Sequence, residues 1–238
     1  MKSFSGKIIS AIPNFLTLLN LTCGYIAILY VFNDQLQIAF WIIILAAIFD
    51  FLDGFAARAL NMSTKTGEIL DSLADMVSFG IVPASVAFNL LNKTFESQTG
   101  HLLFIIISSF IAIFSCLRLA KFHTYVHQKN DFLGLPTPAN ALFFVSLGYI
   151  SQMPENNIMQ SLVEPYCLIP LIIGFSMLMI SNLPMFSLKM KNLSFTNNAI
   201  QYIFLFIALI LLIIFKVQSI PMIIILYILL SVMNRLFV

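Results

Sequence analysis

The sequence predicts an all-α, polytopic membrane helix bundle of about eight transmembrane helices, with both termini in the cytoplasm. Three observations lead there. Of 238 residues, 60% are hydrophobic and only 9% charged, against roughly a quarter charged in an ordinary soluble domain. The apolar residues are gathered in runs long enough to cross a hydrocarbon core about 30 Å thick, and mean hydropathy is +0.98. The basic residues sort by side: with the N-terminus inside, ten of the 12 Lys and Arg fall on the cytoplasmic face and only Lys93 and Lys216 outside. Too few charges remain to coat a soluble fold of this size, which excludes an ordinary cytosolic enzyme. The wealth of Phe and Ile excludes a disordered chain. A net charge of +2 is too small to point to nucleic acid. The expected organisation is one integral-membrane domain over 1–238, in contact with the lipid bilayer.

The elements follow in order. Residues 2–12 read as a short interfacial segment, with Lys2 and Lys7 toward headgroups and Phe4, Ile8, Ile9 and Ile12 toward lipid. Pro13, Asn14, Thr17 and Asn20 interrupt the apolar stretch that follows, unlike a cleaved leader. Helices are expected over 14–32, 37–60, 67–91, 102–122, 137–153, 165–187, 197–215 and 219–237. Polar separators divide them at Asn33-Asp34, Asn92-Lys93, His127 to Asn130, Pro154 to Asn157 and Lys189 to Asn192. The connector at 216–218 is so short that the last two helices must form an antiparallel hairpin. Cys23, Cys116 and Cys167 lie in apolar runs without metal-ligand spacing and read as small buried side chains.

Five of the ten acidic residues fall between Asp50 and Asp75, inside the second and third apolar helices. A charge at the centre of a membrane helix costs about 2.5–3.5 kcal/mol on insertion scales, so these acids should face one another or a wet cavity. Asp50 and Asp53 are three apart and share a helix face; Asp71 and Asp75 are four apart and share another. The polar link near Asn61 to Thr66 makes the two helices antiparallel neighbours joined on the cytoplasmic side. Four converging carboxylates repel unless a cation sits among them, and hard oxygen ligands suit Mg²⁺ or Mn²⁺. A single acid of this kind is more often a packing hydrogen bond or part of a proton path; four in register are not. Gly54, Ala56, Ala57, Ala59 and Gly67 leave room for a ligand or a close helix approach. Arg58 follows directly and has the fork geometry that grips phosphate, although alone it and Lys65 would be ordinary positive-inside anchors.

The stretch Asp50 to Asp75, DFLDGFAARALNMSTKTGEILDSLAD, resembles the motif of the CDP-alcohol phosphatidyltransferase family, D-x2-D-G-x2-A-R-x8-G-x3-D-x3-D. All eight fixed positions are met, by Asp50, Asp53, Gly54, Ala57, Arg58, Gly67, Asp71 and Asp75. The resemblance implies displacement of CMP from a CDP-linked lipid by an acceptor hydroxyl, with one or two Mg²⁺ or Mn²⁺ ions holding the pyrophosphate. It implies that Asp50, Asp53 and Asp71 are metal ligands, and that Asp75 is a further ligand or the catalytic base. It places Gly54, Ala57, Arg58 and Gly67, with Asp53, at the CDP-lipid. Three further segments resemble the multi-span, serine-accepting branch: TLLNLTCG with Thr17, Asn20 and Gly24; RLAKF from Arg118 to Phe122; and FLGLPTPA from Phe132 to Ala139. They imply CDP-diacylglycerol and L-serine as substrates, Thr17 and Asn20 on the CDP-lipid, and Arg118 and Lys121 at the acceptor within 115–140. The chain departs from that branch at Lys121, His123 and Asn140. Relatives also imply a homodimer and an active site at the cytoplasmic face.

Two other readings share some of these features. A sister transferase accepting glycerol 3-phosphate or inositol phosphate carries the same Asp50–Asp75 motif. A membrane cation transporter could use four carboxylates as an ion site, but transporters tend to show internal repeats and broken helices at mid-membrane, and no repeat is evident here.

Overall fold

The computed structural model describes residues 2–60, 64–94, 101–124, 132–154, 161–186 and 198–237. Among these the chain is helical apart from turns and one short strand pair. Helix α1 spans Lys2–Phe32 and α2 Leu36–Ala59. A third rod consists of α3 (Lys65–Asp75), a π-helical segment (Met76–Ile81) and α4 (Val82–Thr94). Then follow α5 (His101–Thr124), β1 (Phe132–Leu133), α6 (Thr137–Ser151), α7 (Pro165–Ile180), β2 (Pro184–Met185), α8 (Ala199–Phe215) and α9 (Ser219–Phe237).

Five stretches are long and apolar enough to cross a membrane: Ala11–Phe32, Leu36–Ala59, Lys65–Lys93, His101–Lys121 and Ala199–Asn234. The last holds both α8 and α9, which turn on Lys216 (φ 51°) and a 3-10 turn, Lys216–Gln218. Phe204 and Tyr227 meet across the pair with ring centroids 5.9 Å apart, so the expected hairpin is present. Helix α7 is apolar but has only 16 residues. Helix α6 is short for a different reason. It is the centre of the bundle: Phe143, Phe144, Val145, Leu147 and Ile150 are all fully buried. The Phe143 ring stacks on Phe175 of α7 at 4.1 Å.

Burial follows the helical period. On α1 the buried positions are Pro13, Thr17, Asn20, Cys23, Gly24, Ala27 and Val31; on α2 they are Leu36, Ala39, Phe40, Ile43, Ala46 and Asp53. Steps of three and four residues make one stripe per helix, and α1 packs along α2 with these stripes facing. The opposite faces expose Phe15, Tyr25, Phe32, Trp41, Phe51 and Phe55, as lipid contact requires. Asp50 and Asp53 continue the buried stripe of α2 and therefore point inward.

Several expectations change, among them the cysteines: Cys23 is buried, but Cys116 is exposed and Cys167 half-buried. The interfacial segment and the first span form one helix of 31 residues, about 46 Å long at 1.5 Å per residue, which outruns the hydrocarbon core. Pro13 is tolerated inside it. The third helix starts at Lys65, where Thr64 Oγ1 accepts a hydrogen bond from the Gly67 N–H at 3.0 Å, and runs past Asn92-Lys93 to Thr94. It is not uniform, because the π segment inserts one extra residue per turn after Asp75. The sixth helix stops at Ile180 rather than near 187: Ser181 is extended (φ −63°, ψ 155°), and Pro184-Met185 pair antiparallel with Phe132-Leu133. The separators at His127 to Asn130 and Lys189 to Asn192, and most of Pro154 to Asn157, lie outside the described residues.

At the end of the bundle away from the acids, Lys93 pairs with Asp34 at 2.5 Å. Gln152 Nε2 donates to the Asp34 carbonyl there, and Gln152 Oε1 accepts from the Gln37 N–H at 3.2 Å. These contacts tie α1, α2, the third rod and α6 together opposite the motif.

Candidate active site

The acids are assembled by three helices. Helix α2 brings Asp50 and Asp53 inward on its buried stripe, and α3 brings Asp71 and Asp75 against them. Helix α1 closes the side with Thr17 and Asn20. Asp50, Asp53 and Asp71 each offer a carboxylate oxygen, and these atoms lie within 4.8 Å of one another. Oxygen ligands 2.0–2.1 Å from Mg²⁺ lie up to about 4.2 Å apart across it, so these carboxylates have the donor type for Mg²⁺ or Mn²⁺ and would draw in slightly around such an ion. The Asp75 side chain meets that of Asp50 and is buried. All four acids thus share one site.

Hydrogen bonds from α1 orient two of them. Thr17 Oγ1 lies 2.7 Å from Asp53 Oδ2, in position to donate to it, and 3.0 Å from the Pro13 carbonyl oxygen. Asn20 Nδ2 donates to Asp75 Oδ1 at 3.1 Å. Asn20 was expected on the CDP-lipid; its amide nitrogen is on Asp75, and its Oδ1 is buried with no partner among the described residues. The π segment anchors the same place, because the Ser78 hydroxyl donates to the Asn20 carbonyl at 3.0 Å. This close approach requires Gly24, where a Cβ would stand 3.0 Å from Ser78 Cα.

The small and basic motif residues line the approach. Gly54 lies one turn before Arg58, whose Nη1 would be 3.5 Å from a Cβ at that position, so the guanidinium folds back over the glycine. Arg58 is exposed and Ala57 half-buried. A Cβ at Gly67 would stand 3.1 Å from Asn14 Oδ1 and 3.1 Å from Thr64 Oγ1. Gly67 therefore lets α3 begin against α1.

Two cations expected at one acceptor site do different things. Arg118 on α5 is within electrostatic reach of Asp75 and of Tyr227 of α9, and its Nε is buried without a partner among the described residues. Lys121, one turn further, donates to the Ile180 carbonyl at 3.3 Å and to Asn182 Oδ1 at 3.0 Å. It caps the C-terminus of α7, where a positive charge is favoured. Gly134 supplies the turn between β1 and α6: its φ is +75°, its N–H donates to the Leu183 carbonyl at 2.9 Å, and a Cβ would lie 3.0 Å from the Leu178 carbonyl oxygen. Hence RLAKF and FLGLPTPA, separated by nine residues, both meet residues 178–185. Sequence reasoning missed Ser78, Asn182 and Tyr227, for which no spacing gave a signal.

Comparison with known proteins agrees with this geometry. The family pattern described as CDP-alcohol phosphatidyltransferase matches residues 10–234. A CDP-diacylglycerol–serine O-phosphatidyltransferase of Helicobacter pylori (strain ATCC 700392 / 26695) is 33% identical over 135 residues, covering 56% of this chain and 55% of that protein. The Methanocaldococcus jannaschii protein of the same name is 38% identical over 143 residues, 60% of this chain and 62% of that one. The Saccharomyces cerevisiae protein of that name is 34% identical over 153 residues, 57% and 52%. The matched segment thus spans between about half and two thirds of these relatives' length. The motif from Asp50 to Asp75, the carboxylates it brings together and a family match over almost the whole chain establish that this protein belongs to the CDP-alcohol phosphatidyltransferase family.

Proposed function

We propose that the protein transfers the phosphatidyl group of CDP-diacylglycerol to the hydroxyl of L-serine, giving phosphatidylserine and CMP. The observation that carries the reaction class is the convergence of Asp50, Asp53 and Asp71 within 4.8 Å in a chain of this family. The names of the relatives support serine as the acceptor. The serine hydroxyl oxygen forms a bond to the lipid-side phosphorus, the bond from that phosphorus to the CMP oxygen breaks, and the hydroxyl proton passes to a carboxylate, for which we assign Asp75. Asp50, Asp53 and Asp71 are the residues that would hold one or two Mg²⁺ or Mn²⁺ ions. Such an ion, when bound, screens the pyrophosphate and stabilises charge on the departing CMP.

The chain's own residues do the rest. Thr17 fixes Asp53 in the orientation a ligand needs. Asn20 holds one oxygen of Asp75 beside Asp50, and taking the proton requires hydrogen-bond reach to the serine hydroxyl in the bound complex. Gly54, Ala57 and Gly67 make room for the nucleotide, and Arg58 meets a phosphate. Arg118 meets the carboxylate that a free amino acid brings and the lipid lacks. Lys121 serves the acceptor side through residues 180–182. The eight helical rods are all assigned as membrane-crossing, with both termini and the active site at the cytoplasmic face; the ten-to-two basic split supports this.

The test is an acceptor panel. The purified protein receives CDP-diacylglycerol with L-serine, glycerol 3-phosphate or inositol phosphate, and the lipid formed is identified by mass. Phosphatidylserine is expected to dominate. A phosphatidylglycerophosphate or an inositol lipid would overturn serine as the acceptor and leave family membership standing.

A further inference from the structure

Asn140, near the start of α6, is fully buried, and neither its Nδ2 nor its Oδ1 has a partner among the described residues. A buried amide left so is costly, and more so in a membrane bundle. Its direction follows from its neighbours on the helix. Phe143 and Phe144, three and four residues on, both meet Phe175 of α7, with ring centroids 4.1 and 5.8 Å from its own. Positions three and four apart flank one helix face, so Asn140 faces α7 one turn closer to β1. Closer still to β1, the Leu135 N–H donates to the Leu178 carbonyl at 3.0 Å. The stretch of α7 between these two contacts holds Ser176, also fully buried, with its hydroxyl unpartnered among the described residues. Helix α5 joins this seam to the acids. Ser115 Oγ lies 3.6 Å from the sulfur of Met179, one turn from Ser176. Ser115 Cβ and the sulfur of Met76, the residue after Asp75, both come within 3.3 Å of where a Cβ on Gly80 would stand. Helix α5 runs antiparallel to the third rod, with His101 against Phe88 at one end and Ser115 against Gly80 further in. The turn from Ser115 to Arg118 therefore leads toward Asp75, and the Arg118 Nε is the other buried, unpartnered atom there.

We propose that Asn140 and Ser176 form the ammonium-binding half of the acceptor site, with Arg118 as its carboxylate-binding half, so that the seam of α5, α6 and α7 selects a zwitterionic amino acid. This rests on the reading of L-serine as the acceptor and Arg118 as its carboxylate contact. The unpartnered atoms are of the kinds such a ligand needs. Asn140 Oδ1 and Ser176 Oγ can accept from an ammonium, while the Arg118 Nε–H and Asn140 Nδ2 can donate to a carboxylate. Glycerol 3-phosphate and inositol phosphate bring an anion and no ammonium, so they leave the two accepting oxygens without a cation. Asn140 is also one of the positions at which the chain departs from the serine-accepting branch, so this contact is a feature of the chain itself. Helix α6 packs against the π segment and α2, but the groups assigned to the CDP-lipid lie on α1, α2 and α3. Truncating Asn140 therefore affects the acceptor and spares the lipid substrate.

The experiment is steady-state kinetics on the full chain with Asn140→Ala and, as a smaller change that keeps the fold, Ser176→Ala. Serine KM is expected to rise about tenfold in the first and about fivefold in the second, the scale of one hydrogen bond to a charged group, with CDP-diacylglycerol KM unchanged. Two fragments of serine then separate the halves of the site as competitors against it. Ethanolamine keeps the hydroxyl and the ammonium, and its inhibition constant is expected to rise in Asn140→Ala and to stay level in Arg118→Lys. For 3-hydroxypropionate, which keeps the hydroxyl and the carboxylate, the reverse is expected. A merely structural role would weaken both fragments alike. An unchanged serine KM in both alanine variants, the mark of an amide that serves packing or holds a water molecule only, would overturn the proposal. So would equal losses for the two fragments, or a CDP-diacylglycerol KM that rises in step with that of serine. If the wild-type chain forms no phosphatidylserine at all, serine as the acceptor fails first and the ammonium site falls with it; if phosphatidylserine forms and the alanine variants take serine as well as the wild type does, the ammonium site alone is refuted.

Discussion

Gly24→Ala tests whether α1 is seated on the π segment as closely as the site requires. The added Cβ would stand 3.0 Å from Ser78 Cα and 3.1 Å from Ser78 N. Carbon atoms pack at about 3.5–4.0 Å, so the deficit is at least about half an ångström. The obstructing atoms are backbone, which no rotamer change can move aside. Helix α1 and the π segment must part. Overpacking of this kind costs about 1–3 kcal/mol, and stretching the 3.0 Å bond from Ser78 to the Asn20 carbonyl adds about 1 kcal/mol. The expected loss is therefore about 2–4 kcal/mol. Gly174→Ala is the matched comparison: nothing lies within 4 Å of its added Cβ, and Ala replaces Gly inside α7 with a gain of about 0.5–1 kcal/mol. Thermal unfolding of both variants in one detergent, at one heating rate, should give shifts of opposite sign. Activity should fall in Gly24→Ala at temperatures where it remains folded, because Asn20 and Asp75 are displaced together. A Gly24→Ala protein that melts with or above the wild type would refute the close seating and the role given to Ser78.

Three further outcomes follow from the site. Asp75→Asn should lower kcat by about 10²–10⁴, the usual range for a lost general base, while CDP-diacylglycerol affinity stays within a few-fold; equal losses in rate and affinity would make Asp75 a metal ligand instead. Thr17→Val removes the 2.7 Å contact to Asp53, and the concentration of Mn²⁺ giving half-maximal activity should rise about tenfold, the effect of roughly 1.4 kcal/mol at a charged partner; an unchanged metal requirement would separate Thr17 from the metal site. A cysteine placed at Asn156 should react with an impermeant reagent from outside intact cells and one at Ser63 should not, and the reverse pattern would invert the topology.

Much of the fold was legible because membrane helices announce themselves by apolar length, and most predicted helices begin and end within a few residues of the observed ones. The acid cluster was legible because three- and four-residue spacing fixes which side chains share a face, and the cost of burying charge dictates that they meet. What stayed hidden depends on departures from regular geometry. The π segment after Asp75 leaves no mark in composition, yet it lets Ser78 reach the Asn20 carbonyl while Asn20 holds Asp75. The strand pair of Phe132-Leu133 with Pro184-Met185 is two residues long on each side, too short for any alternation to show. Lys121 and Arg118 looked equivalent, since residues three apart share a face. Where α7 ends decides between them: the Ile180 carbonyl and Asn182 Oδ1 take the ammonium, while the guanidinium remains within electrostatic reach of Asp75. Tyr227 could not be singled out among the apolar residues of α9, because its partner is a backbone carbonyl 41 positions away.

The most direct measurement is a double count on the purified protein given CDP-diacylglycerol and isotopically labelled L-serine. CMP released and label entering the lipid are quantified together, with Mn²⁺ or Mg²⁺ present, after chelation, and after the metal is returned. Expected is one CMP for each labelled phosphatidylserine, with both products lost on chelation and regained on re-addition, and neither formed by a folded Asp71→Asn variant. CMP released without label in the lipid, or transfer undiminished in excess chelator, would contradict the assignment of the Asp50, Asp53 and Asp71 cluster as the metal centre of a phosphatidyl transfer to serine.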